Sequence, residues 1–242
     1  MNPQAASDRD DGDDQLTGFR RRIRIAPAAG AIDVDLEDDF HRFGVTLRHA
    51  EGRVLAVETR ELRYPWTTCP AAAAFLRERM VGTLLKEAGA GEDQRQHCTH
   101  LYDLFVLAAS HANDPIMQVL DIAVSDPGDR ASIARIARDG HLLLRWRMGG
   151  SPGSGGLPAD DRALRDWCRD LPLALQEPAR MLRRGLFVAR GRHSDWIAGH
   201  TAADIPIKDV CFTFQTIRSA NARRNGDPRR EFSGRADALL TS

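Results

Sequence analysis

Between Phe19 and Leu62 apolar side chains recur at every second position. That is the period of a strand with one face in a core and the other in water. Ile32, Val34 and Leu36 alternate with Ala31, Asp33, Asp35 and Glu37. Phe43, Val45 and Leu47 alternate with Arg42, Gly44, Thr46 and Arg48, and Leu55 and Val57 continue the theme before Thr59. The pattern predicts a meander of antiparallel strands near 20–26, 30–38, 41–49 and 53–62.

After Leu62 the period changes. Pro70 suits the first position of a helix behind Thr68 or Cys69, and Ala71 to Leu85 is rich in good helix formers. Thr99 can cap a second helix to about Ala112, with Leu101, Leu104, Phe105 and Ala108 as its apolar stripe. Strands resume at 116–125, 132–138 and 142–148, with turn chemistry at Asp126-Pro127-Gly128-Asp129 and a hairpin signal at Asp139-Gly140. Beyond a Gly/Ser/Pro-rich stretch the pattern is helical near 160–170, 176–189 and 206–224, with Pro178 early in the middle helix.

The fold class expected is α+β: an antiparallel β-meander sheet with packed helices, followed by a helical C-terminal segment. The corresponding organisation is an acidic disordered tail over 1–18, an α+β domain over 19–148 and a linker over 149–159. A helical segment over 160–230 packs back on the sheet, and a flexible tail covers 231–242.

Composition narrows the function. Lys+Arg and Asp+Glu both total 34, so no basic field exists to neutralise phosphates, and nucleic acid is excluded as a partner. The run Arg20-Arg21-Arg22-Ile23-Arg24 reads as the solvated face of a strand. A membrane helix needs roughly 18 or more apolar residues in succession, and no stretch approaches that. The opening residues lack the basic-then-apolar order of a secretory signal, so a cytoplasmic location with reduced thiols is expected.

Candidate chemistry gathers in three places. In the third strand His41 shares the buried face with Phe43, Val45 and Leu47, and parity places Asp38 inward on the strand before it. Across the Asp39-Phe40 turn, Asp38 faces His41, an acid/base or ligand-orienting pair; a buried pair that only closes the hairpin is the plainer reading. Cys69 follows Arg63-Tyr64-Pro65-Trp66-Thr67-Thr68 at a helix start, where backbone N–H groups favour a thiolate. Arg63, Trp66, Thr67 and Thr68 are the substrate-binding candidates beside it. His97-Cys98-Thr99-His100 offers further ligands, and Asp103 could orient His100 from three residues on; the plainer reading is a solvated His97 and an idle His100. Cys168 and Cys211 read as core packing, His193 and His200 as surface residues, and Gln215 with Arg218 as one polar helix face.

Leu36-Glu37-Asp38-Asp39-Phe40-His41, Arg63-Tyr64-Pro65-Trp66-Thr67-Thr68-Cys69-Pro70 and Cys98-Thr99-His100-Leu101-Tyr102-Asp103-Leu104 together resemble an uncharacterised bacterial family, a domain of unknown function. Val210-Cys211-Phe212-Thr213-Phe214-Gln215 is similar to its C-terminal motif, so the likeness spans about 20 to 225. The resemblance implies a bacterial source and points toward aromatic or acyl-thioester substrates. It implies no reaction.

The reading that follows is a small-molecule catabolic enzyme of hydrolase or lyase type. In its metal-assisted form Cys69, Cys98 and His100 bind zinc or iron, with Asp38 or His41 as fourth ligand or base. In its metal-free form Cys69 is the nucleophile, His100 the base and Asp103 its orienter. Two alternatives stand beside it: a metal-stabilised accessory or binding protein, and a redox-active dithiol protein using Cys69 and Cys98.

Overall fold

The computed structural model describes residues 17–90, 92–127, 132–147, 161–194, 197 and 199–241. Its strands are β1 (Gly18–Ala28), β2 (Ala31–Asp38), β3 (Arg42–Ala50), β4 (Arg53–Arg63), β5 (Gln118–Ser125), β6 (Ile133–Arg138) and β7 (His141–Arg147). They form one antiparallel sheet in the order β4-β3-β2-β1-β5-β6-β7. The helices are α1 (Cys69–Met80), α2 (Thr99–Ser110), α3 (Asp161–Arg169), α4 (Leu173–Ala189) and α5 (Thr216–Ser219). The α+β class and the helical C-terminal segment read from the pattern are what the chain forms. The expected linker, the acidic tail up to residue 16, and Gly128 and Asp129 lie outside the described residues.

Two compact units divide the chain. One comprises Ile23–Gln118 and Asp195–Arg230; the other comprises Met1–Arg22, Val119–Ser194 and Glu231–Ser242.

In the unit containing β2, β3 and β4, the period-two pattern sets the register directly. Ile32 opposes Leu47, Val34 opposes Val45 and Leu36 opposes Phe43, and all six are buried. Helix α2 lies on this face, with Leu101, Leu104, Phe105 and Ala108 buried, and α1 packs on β4. Burying each large apolar side chain stabilises by about 1.5–3 kcal/mol relative to exposing it. The β3–β4 hairpin turns through Glu51 (φ 51°) and Gly52 (φ 72°), both left-handed.

The opposite face is polar but ordered. Arg60 donates to Asp35 at 2.9 Å and to Thr46 Oγ1 at 2.6 Å, and Arg24 reaches Asp35 at 2.7 Å. Gly44 lies beneath this crossing: a Cβ there would stand 2.5 Å from both Arg60 Nε and Asp35 Oδ1. Burial works to raise the Asp35 pKa, but hydrogen bonds and charge from Arg24 and Arg60 outweigh it and hold the carboxyl below its ordinary value.

In the other unit β5, β6 and β7 carry α4, and Trp146 meets Trp167 of α3 edge to face at 5.4 Å. The β6–β7 turn is the expected Asp139-Gly140, with φ of 49° and 79°. Helix α4 begins at Leu173, before the expected start, so Pro178 lies inside it. Residues 231–241, read as a flexible tail, return to β1: Ser233 Oγ accepts from Gly18 N–H and donates to Gly18 O, each at 2.8 Å.

Two expectations are corrected. Arg20 and Arg21 are not solvated; they are 4% and 2% exposed. Arg20 donates to Phe19 O at 3.0 Å, the Arg21 guanidinium sits 5.4 Å from the Phe19 ring, and Arg22 forms a two-pronged pair with Asp121. The helix read at 206–224 is instead one 3₁₀ turn, Phe212–Phe214, and the short α5. Asp209 at φ 53° stops a continuous helix there.

Gly185 of α4 has no room for a methyl, since its Cβ would stand 2.8 Å from Ile122 Cγ2. Overpacking costs about 1–3 kcal/mol and the helix-propensity gain of Gly→Ala is at most about 1 kcal/mol. Gly185→Ala therefore lowers the unfolding midpoint in denaturant, the reverse of an exposed helical Gly→Ala change. Asp35→Asn is expected to lose its stability deficit as pH falls. With the folded pKa depressed, the contribution of Asp35 is complete above the ordinary value of 3.8 and vanishes below it, as acid titrations of the two proteins will compare.

Candidate functional site

Strand β2 ends at Asp38 and β3 starts after His41, so the hairpin must turn through Asp39 and Phe40. Asp38 N–H donates to His41 O at 2.9 Å, which continues the ladder one pair beyond Glu37–Arg42. Asp38 Oδ1 then accepts from the N–H groups of Phe40 and His41, each at 2.8 Å, and lies 3.0 Å from His41 Nδ1. An ionised carboxylate only accepts, so Nδ1 carries the proton and Nε2 presents its lone pair. Asp38 has no exposure at all.

Cys98 caps α2, which places His100 in the first turn, over β3. Its ring lies 3.9 Å from that of His41, tilted by 31°. Phe43 stacks against both, at 5.7 Å from His41 and 5.9 Å from His100. One ligand atom from each of Asp38, His41 and His100 lies within 4.8 Å of the other two, and all three residues are buried. Two imidazoles and a carboxylate make a donor set suited to zinc or ferrous iron with coordination positions to spare.

Neither Cys69 nor Cys98 belongs to that group of three. The thiols form a neighbourhood of their own, and it includes Cys211, which the sequence had suggested was mere packing. Phe212 N–H donates to His97 O at 2.9 Å, which brings Cys211 beside Cys98, and Thr68 Oγ1 meets Thr213 Oγ1 at 2.8 Å beside Cys69. Burial, then repulsion from Cys98 and Cys211, raises the Cys69 pKa well above its ordinary value; bonds involving Trp66 and Thr213 offset this only in part. Burial likewise pushes Cys98 up to about 12. The thiolate expected at these helix starts is thus not the resting form, which removes support from Cys69 as a nucleophile. Among the described residues no disulfide forms.

The other candidates are placed as follows. Arg63 does not face Cys69: it bonds Glu37 Oε1 at 3.0 Å, Asp38 O at 2.7 Å and Pro228 O at 2.9 Å. Trp66 is buried between Phe214, edge to face at 5.5 Å, and the Arg224 guanidinium at 4.2 Å. Thr67 pairs with Arg223 through backbone and hydroxyl. Asp103 accepts from Gln94 at 2.7 Å. Gln215 donates to Arg95 O at 3.0 Å and accepts from Arg218, so that pair is occupied internally. His193 is exposed and bonded to Asp126, and Cys168 is core.

His97 is not solvated but fully buried, flanked by Phe75 and Tyr102 with Nε2 3.3 Å from Glu92. Arg63, His97 and Cys211 are what the sequence pattern misplaced. For Cys211 the signal was present, in the motif around it. A cavity of about 580 Å³ lies elsewhere, at the far end of α2 by Ser110 and Asn113, and includes Lys86 and Glu51.

No protein-family model matches the sequence, and no curated protein matches it. Among the described residues no helix is long and apolar enough to cross a membrane.

Burial lowers the His97 pKa from 6.5, with Glu92 opposing more weakly. The unfolded chain therefore binds this proton first, and stability that is complete above the ordinary histidine value is lost as pH falls below it. His97→Phe is expected to flatten the decline in unfolding free energy below that value, measured by denaturant titration at a series of pH values.

Proposed function

We propose that this chain is a metal-dependent enzyme of hydrolase or lyase type acting on a small molecule, with one divalent ion, zinc or iron, held by Asp38, His41 and His100. The observation that carries this reading is the mutual approach of their ligand atoms within 4.8 Å in a buried setting. Three protein ligands leave a position for water or substrate, and a bound ion there would supply Lewis acidity and lower the pKa of that water. The protein's own part is orientation: N–H groups of the turn hold the Asp38 carboxylate in place, an ion taking both Asp38 and His41 would displace the proton between them, and Phe43 walls both rings. The sequence motifs, resembling an uncharacterised bacterial family, group the same residues without adding a reaction.

Burial also favours a second reading, in which the ion closes its coordination shell and stabilises an accessory or binding protein. Asp38 is wholly enclosed, and His41 and His100 are each only 8% exposed.

Protein purified without a metal-affinity tag is expected to hold about one ion per chain by elemental analysis, a three-ligand mononuclear site. His41→Ala and His100→Ala should each reduce that ratio sharply, while Cys69→Ala leaves it unchanged. A ratio near zero in the wild type refutes the metal centre. Chelation separates the two readings: a catalytic ion is removed from a chain that stays folded, whereas a structural ion takes much of the folding free energy with it. Circular dichroism before and after chelation reads the difference.

A further inference from the structure

Arg63 closes β4, and its position depends on an irregularity in the sheet. From Ala56 to Glu61 the β3–β4 register is regular: Val45 opposes Thr59 and Phe43 opposes Glu61. Between Arg42 and Phe43 it shifts, so that Arg42 opposes Arg63 and Leu62 is the extra residue. A bulge of this kind re-aims the residue that follows it. Without the shift Arg63 would share the parity of Thr59 and Glu61. With it, Arg63 joins Arg42 and Glu37 at the mouth of the hairpin.

From there its guanidinium reaches four oxygens. Nη2 donates to Asp38 O at 2.7 Å, to Glu37 Oε1 at 3.0 Å and, more weakly, to His41 O at 3.3 Å. Nη1 donates to Pro228 O at 2.9 Å. Two of the three main-chain carbonyls belong to the residues whose side chains make the acid–imidazole pair. Two residues beyond Pro228, Arg230 N–H donates to Asp39 O at 2.7 Å, so the turn is held on a second side as well. The Arg63 side chain is only 12% exposed, and Glu37 8%. A buried ion pair is a poor source of net stability, because desolvation consumes most of the Coulombic gain. What this one supplies is geometry: it fixes the distance between Asp38 and His41 along the backbone.

We propose that Arg63 is a positioning residue for the metal centre, presetting Asp38 and His41 through their carbonyl groups rather than touching ion or substrate. The inference rests on the metal-centre reading above. Arg63 is beyond the ligands, and loss of such an outer partner typically costs about 10–100-fold in metal affinity. Lysine replaces it only in part, since a single ammonium lacks the planar fork that spans several acceptors at once.

The test is a Co²⁺ titration of the full chain, followed by the visible absorption of the bound ion, for wild type, Arg63→Gln and Arg63→Lys. Far-UV circular dichroism reports whether each is folded. The expected result is Co²⁺ binding about 10–100-fold weaker in folded Arg63→Gln, with an altered band shape, and an intermediate loss in Arg63→Lys. A merely structural role would leave the spectrum of the bound ion unchanged. Should Arg63→Gln not fold, Arg63→Lys alone carries the test, with weaker binding and a changed spectrum expected. Wild-type affinity and spectrum in a folded variant would overturn the proposal and leave the metal centre standing. Failure of the wild type to bind Co²⁺ would overturn both.

Discussion

One carboxylate oxygen organises the site. Asp38 Oδ1 accepts from two backbone N–H groups and from an imidazole, in a place water does not reach. Burying an ionised carboxylate costs several kcal/mol unless donors surround it. Here the donors come from the turn that Asp38 itself opens, so satisfying the charge and bending the chain are one event. The same bonds decide which nitrogen of His41 is protonated, and hence which one is available. Everything chemical about this hairpin follows from that coupling.

The thiols obey a different balance, and magnitudes decide it. A helix start favours an anion by about 0.3–1 kcal/mol, less than one pKa unit at 1.36 kcal/mol each. Removing a charge from water costs far more than that. Cys69 and Cys98 occupy helix starts as the sequence suggests, but they are 6% and 7% exposed and crowd against one another and Cys211. Burial wins, and the expected thiolates give way to neutral thiols.

Much of the sheet was legible because period two is a local signal. The same parity that paired Leu36 with Phe43 placed Asp38 against His41, and one helix start placed His100. What was not legible depended on partners far away in the chain. Nothing near Arg21 announces that its guanidinium will be buried against Phe19, or that Arg22 will find Asp121. Arg63 read as a substrate-binding group beside Cys69 because parity cannot foresee the extra residue at Leu62. Cys211 read as isolated because its neighbours come from the starts of α1 and α2. The run at 206–224 has helical spacing, yet a left-handed Asp209 interrupts it.

The bond from Arg63 to the Pro228 carbonyl joins positions 165 residues apart. The hairpin, α1 and α2 leave the ribosome first, and the segment that steadies the hairpin's mouth emerges only after an intervening stretch of sheet and helix. At about 5–20 residues per second the ribosome leaves that interval open for on the order of ten seconds. A half-made chain could therefore shape the pair of imidazoles before it could hold them still, and the order of manufacture places the last fastening at the end.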